Sequence, residues 1–332
     1  MKSKHGIVLT IAMFLAGFSA AETIEQLLQV KPSPRTPTRR VRTAKPVDQS
    51  DSLKAINDCE ELRSFFIDVA VEKVLEYRYN QWRWIAWSGG PEPSGGAEDV
   101  PTDFTTTNNQ EEGVDELDIV KTNGTHLYAT ERDILHVLQS WPAGATTEVA
   151  SMDIGLPSWG MFLHGDFAVT ASGFYEPNVD FPRPPGATRL EVFDVANPSS
   201  PVSVRTVDVE GWLVDARLID GDLYAVITTF IDYPSELWDL AWNEDIGLPD
   251  LPWDADDELR ERVLAEARRI IEPLVEEIMA GHAVEEFLPQ VRDRDRGDPD
   301  SLPRTLFDCD SLYRPANTSD WSVLSVVHFD LD

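Results

Sequence analysis

The feature that most constrains this chain is a unit of strand, tight glycine turn and strand that recurs three times. "VKTNGTHLYA" (120–129), "FLHGDFAV" (162–169) and "LIDGDLYAV" (218–226) share it, and a further strand-like run follows each: "LHVLQS", "LEVFDV" and "VVHFDLD". Gly124 and Gly165 lie 41 residues apart. Gly165 and Gly221 lie 56 apart, but 14 of those residues form the Pro-rich insert "GFYEPNVDFPRPPG", which leaves 42.

A period of ~40–45 residues built from short strands is what propeller blades require, because each small sheet buries its faces only against its neighbours. The spacing therefore predicts a mainly β chain: a partial β-propeller of two to three blades of short antiparallel strands, with an N-terminal helix and a helical insertion. A closed ring takes about 4–8 blades, so the 332 residues read as a fragment or a truncated product.

The blades begin late. Lys2 and Lys4 precede the apolar run "GIVLTIAMFLAGFSA", and Ser19 and Ala21 offer small residues before Glu22, the layout of a signal peptide at 1–21. The apolar run is short for a membrane span of ~20 residues, so the expected address is secreted, periplasmic or cell-envelope, without a membrane span after cleavage. Residues 22–50, with "KPSPRTPTRRVRTAKP", read as an extended Pro/Arg-rich linker. Residues 51–87 read as a helical segment, in which Cys59, Leu62, Phe66, Ala70, Val74 and Tyr77 make one apolar face and Ser52 or Asp58 caps the start. The Gly/Pro-rich stretch 88–105 ends it. The incomplete propeller occupies 106–332, with a helical and loop insertion over 230–320. In that insertion a helix capped near Asp254 carries Leu259, Val263, Ala267 and Ile270, and Pro273 is expected to kink or restart it.

A formal net charge of −31 repels nucleic acid and anionic lipid, so neither is an expected partner. Cys59 and Cys309 are the two cysteines. In an exported chain they could form one disulfide, although spacing alone leaves this open.

The stretch "TTNNQEEGVDELDIVKTNGTHLY" (106–128) closely resembles the opening motif of a family of secreted prokaryotic proteins that carry a β-propeller distantly related to WD-repeat proteins. The motif falls on Thr107, Asn108, Gln110, Gly113, Val114, Asp115, Glu116, Asp118, Ile119, Val120, Lys121, Thr122 and Gly124, with Glu111 inside it. "LEVFDVANPSSPVSVRTVDVEG" and "CDSLYRPANTSDWSVLSVVHFDLD" are similar to later segments of that family, so the resemblance covers about residues 50–332. It implies a propeller fold, export and further blades. It carries no established reaction and no catalytic residues.

The acids of the motif admit two readings, a calcium site or hydrogen-bonded strand and turn backbone with Lys121 balancing charge; the structural reading is preferred. "DRDRGDPD" is a second calcium candidate through Asp293, Asp295, Asp298 and Asp300, yet it departs from the calcium-loop pattern at several positions. No cofactor is predicted beyond this possible calcium, and no catalytic motif is found. Tyr233, Trp238, Trp242 and Trp253 lie in the insertion, where aromatics stack on sugars or anchor a partner. The leading expectation is an exported, non-enzymatic binding module for an extracellular protein or polysaccharide. The alternative is an extracellular hydrolase or calcium-dependent enzyme whose central-channel site is completed by missing blades.

Overall fold

The computed structural model describes residues 11–13, 53–79, 113–174, 186–295, 297–314 and 322–331. In chain order the strands are β1 (Ile11–Met13), β2 (Lys54–Ala55), β3 (Val114–Glu116), β4 (Val120–Thr122), β5 (His126–Glu131), β6 (Ile134–Gln139), β7 (Thr147–Asp153), β8 (Ser158–His164) and β9 (Phe167–Phe174). There follow β10 (Ala187–Asp194), β11 (Val202–Glu210), β12 (Trp212–Ile219), β13 (Asp222–Phe230), β14 (Gln290–Asp295), β15 (Arg304–Thr305), β16 (Leu312–Arg314) and β17 (Ser322–Asp330). The helices are α1 (Cys59–Tyr79), α2 (Ser235–Trp242) and α3 (Asp257–Ala280).

Each repeated unit becomes one sheet. The first is β4-β5-β6-β7, the second contains β8 to β11, and the third is built on β12, β13 and β17. The glycine turns close these hairpins. Asp220 and Gly221 both have positive φ, 52° and 92°, which is what a two-residue turn matched to the right-handed strand twist demands. Gly211, at φ +113°, joins β11 to β12; a Cβ there would lie 2.4 Å from Thr229 Oγ1 and 2.5 Å from the Thr228 carbonyl oxygen.

The sheets bury their faces against one another. Tyr128, Leu135, Val137 and Ile154 of the first unit pack on Met161, Ala168, Phe193 and Val195 of the second. The opposite face of the second, with Phe162, Val169, Leu190 and Val207, joins Leu223, Ala225, Val327 and Phe329 of the third in a larger core. Arg205 on β11 lies over the Phe329 ring at 5.7 Å and grips Asp293 with two nitrogens.

The acidic motif ties these sheets together. β3 pairs with β12 in the third sheet. Two residues later Asp118 exchanges backbone hydrogen bonds with Met161 of β8, at 3.3 and 2.7 Å, and β4 then opens the first sheet. One segment of nine residues, 114–122, thus touches all three. Lys121 is 5% exposed; its Nζ donates to Asp115 Oδ1 at 2.7 Å and to the Glu116 carbonyl at 2.6 Å. Charge and backbone are satisfied by the same cation. Asn108, Gln110 and Glu111 lie outside the described residues.

The helices form a layer beside the third sheet's core. Asp58 Oδ1 accepts from the Glu61 N–H at 2.8 Å and starts α1. Leu62, Phe66, Ala70 and Val74 are buried as the spacing predicts, whereas Tyr77 is 44% exposed. Cys59 and Cys309 are bonded to each other, so α1 is fastened to the far end of the insertion.

Several sequence expectations are corrected here. The cap of α3 is Asp256, not Asp254, with its carboxylate accepting from Leu259 N–H at 2.8 Å. Pro273 does not start a second helix: α3 runs continuously past it to Ala280, with Ile271, Val275 and Met279 on either side buried. The apolar stripe passes through Ile271, not Ile270. The insertion also contains strands: β14 extends the second sheet beside β11, and β15 pairs with β14. Residues 11–13 of the expected leader form β1, parallel to β16 and antiparallel to β17, inside the third sheet.

Charged residues on the strands of the second sheet are neutralised in pairs across the ladder. Asp208 accepts from Arg189 at 2.6 and 3.0 Å and also from Arg294. Glu191 sits beside them; burial pushes its carboxyl above the ordinary value of 4.5, while the Ser203 hydroxyl and Arg189 pull it back. A raised folded pKa means that the folded state holds this proton more tightly than the unfolded chain. Stability is therefore lost as pH rises from the ordinary carboxylate range through the folded pKa, and regained on acidification. Replacing Glu191 with Gln keeps an acceptor for Ser203 and removes the titration. The variant is expected to be more stable than wild type near pH 7 and to lose that advantage below about pH 4, measured by urea denaturation at both pH values.

Candidate functional site

The insertion builds a cleft against the end of the helical layer. Ile231 and Tyr233 follow β13 and are buried. The Tyr233 hydroxyl donates to the Phe66 carbonyl oxygen at 3.2 Å, and burial pushes its phenol well up. Tyr233, one of the aromatics expected to face a ligand, lines the cleft with its ring while its polar end is occupied by α1. Pro234 then starts α2, which buries Leu237 and Ala241.

Burial of those two residues decides where the tryptophans go. Trp238 and Trp242 are four apart, hence on one helical face. Across from them stands Tyr77 in the last turn of α1, with ring centroids 5.6 Å from Trp238 and 5.4 Å from Trp242. Both contacts are edge-to-face, at 66° and 79°. The end of α1 fixes this geometry: Tyr79 donates to the Pro249 carbonyl at 2.8 Å and Arg78 to the Ala241 carbonyl at 3.3 Å. Trp242 remains 48% exposed. Trp253 is 93% exposed.

Trp238 also walls a cleft of ≈ 540 Å³, together with Asp232, Glu236, His282 and Glu286. His282 follows the end of α3, where Arg63 donates to the carbonyls of Met279 and His282 at 2.7 and 2.9 Å. Its Nδ1 lies 3.0 Å from Glu286 Oε2, and Glu286 Oε1 accepts from the Ala283 N–H at 3.2 Å. Histidine and acid are thus positioned by the same short turn, over a floor of Tyr233 and Phe287.

The chain belongs to the beta propeller domain family. The family's model, described as a beta propeller domain, matches residues 104–332. The chain is also 28% identical over 160 residues to a protein of Methanocaldococcus jannaschii described only as uncharacterized. That alignment covers 46% of this chain and 22% of the relative, so the chain spans well under two thirds of the relative's length. No solved structure matches.

The calcium candidates of the propeller's insertion are not brought together. Asp293 lies on β14 and is gripped by Arg205. Asp295 Oδ1 accepts from the N–H groups of Gly297 and Asp298 at 2.6 and 2.8 Å, closing a turn. Asp298 and Asp300 lie beyond the end of that strand. Residues 293–295 of that stretch thus belong to a strand. Among the described residues, the one set of three or more His, Cys, Asp or Glu ligand atoms within 4.8 Å of one another is Cys59, Glu285 and Cys309, and the two sulfurs are already bonded to each other.

Of the aromatics singled out in the sequence, Trp238 and Trp242 are brought together and Tyr233 lies beneath them. Tyr77, Asp232, Glu236, His282 and Glu286 were not foreseen as site residues. The i, i+4 spacing of His282 and Glu286, within a stretch ending in "HAVEEF", is the one signal that points to their pairing. Among the described residues no helix is long and apolar enough to cross a membrane.

Proposed function

We propose that this propeller domain is the scaffold of an exported binding module, which holds an extracellular protein or polysaccharide through the insertion at 230–320. The observation that carries this reading is the aromatic trio Tyr77, Trp238 and Trp242. Tyr77 and Trp242 are 44% and 48% exposed, although both belong to helices whose other faces are buried in the core. Amphipathic rings held at fixed angles beside a cleft supply contact area at low conformational cost. The sheets beside it share packed cores, and binding concentrates in segments carried on such scaffolds.

A hydrolytic reading has less support. His282 is paired with an acid, but the nearby Ser235 hydroxyl donates to Glu236 Oε2 at 3.3 Å, an arrangement that does not activate a serine for acyl transfer.

The test is titration of the full chain with a defined panel, comprising a neutral glucan, an amino-polysaccharide and a basic protein, followed by tryptophan fluorescence. Binding to at least one member is expected, weakened about tenfold or more in Trp242→Ala and Tyr77→Ala. Failure to bind every member, or binding unchanged in both variants, would overturn the proposal.

A further inference from the structure

We propose that the third sheet contains a strand-acceptor site. The place between β17 and β16 receives an extended apolar segment of a partner protein, with a Ser or Thr at the segment's centre. This surface goes beyond the aromatic trio and does not depend on it.

The repeat defines the place. The first unit supplies four successive antiparallel strands, β4 to β7, and the second supplies β8 to β11 in the same order. The third supplies three, β12, β13 and β17; in the fourth position, antiparallel to β17, stand residues 11–13. They cover little of it. β17 pairs with β13 over the nine residues Ser322–Asp330, but with β1 over the three residues Leu324–Val326. Nine less three leaves six residues of β17 that have no ladder on this margin among the described residues. A margin of this kind offers N–H and C=O groups to an added strand, and pockets for alternate side chains give the choice of guest.

The residues of β17 set what the guest carries. The covered stretch and its flanks read Val323-Leu324-Ser325-Val326-Val327. Val323 and Val327 are fully buried and Leu324, on the opposite face, is 6% exposed. A strand added here is covered on both faces, which calls for a continuous apolar run. Ser325 is the exception. It is 0% exposed, and its Oγ has no hydrogen-bond partner among the described residues. Residues directly opposite on antiparallel strands share a face, and the register sets Ile227 opposite Ser325 on one side and Ala12 on the other. Neither residue type carries a hydrogen-bonding side chain. An unpaired buried hydroxyl costs free energy, and a Ser or Thr in the place of Ala12 supplies its partner across the ladder. A second copy of this chain is a poorer guest than a different protein, because each copy brings a net charge of −31.

The probe is a synthetic peptide with Val-Ile-Thr-Met-Val at its centre and Gly/Ser ends, tested beside versions with Ala or Pro in place of the Thr. The proline version keeps the charge but lacks an N–H for the ladder. Each is added to the full wild-type chain and to the full-length variant Ala12→Pro, in which β1 is expected to leave its place. Peptide anisotropy reads binding, and hydrogen exchange reads the amides of β17. In wild type the Thr peptide is expected to raise protection over residues 327–330, which β1 does not cover. In Ala12→Pro, protection at Leu324–Val326 is expected to fall, to return with the peptide, and to be accompanied by about tenfold tighter binding than in wild type. The Thr peptide is expected to bind about fivefold tighter than the Ala peptide, a difference that vanishes in Ser325→Ala. A thermal melt accompanies each variant; if Ala12→Pro does not fold, the wild-type exchange and the Ser325→Ala comparison decide alone. No binding, equal binding of the Thr peptide and either control, or a Thr preference that persists in Ser325→Ala would overturn the inference. A dimer of Ala12→Pro that excludes the peptide would overturn it in favour of a second copy.

Discussion

Asp208→Asn is expected to destabilise the domain by about 3–5 kcal/mol, read from urea or guanidinium midpoints at constant m-value. The Asp208 side chain is fully buried, and the side chains of Arg189 and Arg294 are 24% and 20% exposed. Three strands, β10, β11 and β14, are joined at this carboxylate. An asparagine of equal size leaves two guanidinium groups around a neutral amide, one of whose ends is itself a donor. Breaking a buried ion pair by neutralising one partner leaves uncompensated charge and costs more than the pair contributes. The triple replacement Arg189→Met, Asp208→Leu, Arg294→Met removes all the charges together, and it is expected to recover most of the loss. A single variant within about 1 kcal/mol of wild type would contradict this account.

The second large effect concerns the covalent link. Replacing Cys59 and Cys309 with Ser is expected to cost about 2–5 kcal/mol, at the upper end of the range. The bond closes a loop with a sequence separation of 250, and its main action is to restrict the unfolded chain. The melting temperature is expected to fall by roughly 10 °C, taking about 2–4 °C per kcal/mol for a chain of this order of size. Each single variant and the double should agree closely, because either substitution abolishes the same bond. Calorimetry of reduced wild-type protein provides the same comparison without mutation.

The three sheets could be anticipated because their signals are local. Gly124, Gly165 and Gly221 mark hairpin turns, and the apolar alternation beside them places one face inward whatever the tertiary context. The strands of the insertion could not be read this way. "QVRDRD" contains no apolar alternation beyond Val291 because its charges are matched by Arg205 and Asp208, 88 and 86 residues earlier in sequence. At Pro273 the helix loses one hydrogen bond, but it continues as a single element with buried neighbours at 271 and 275. At the cleft, the spacing of Trp238 and Trp242 was visible, while Tyr77 read as one more core position of α1. Its ring partners, Trp238 and Trp242, come from α2, some 160 residues further along the chain. The disulfide was possible from the sequence and no more, since it depends on two segments meeting in space.

The position of β1 gives the disulfide a second significance. Among the described residues of the third sheet, β2 and β16 reach β17 through residues 11–13. A chain shortened by removal of its first 21 residues has no backbone ladder joining that two-stranded flap to the remaining strands. Cys59 follows β2 by four positions and Cys309 precedes β16 by three, so the sulfur bridge clasps the root of the flap. Without residues 1–21 this corner would be held by the sulfur bridge together with Ile56 and Leu312 in the core, and the margin of β17 between Leu324 and Val326 would lose the strand that covers it.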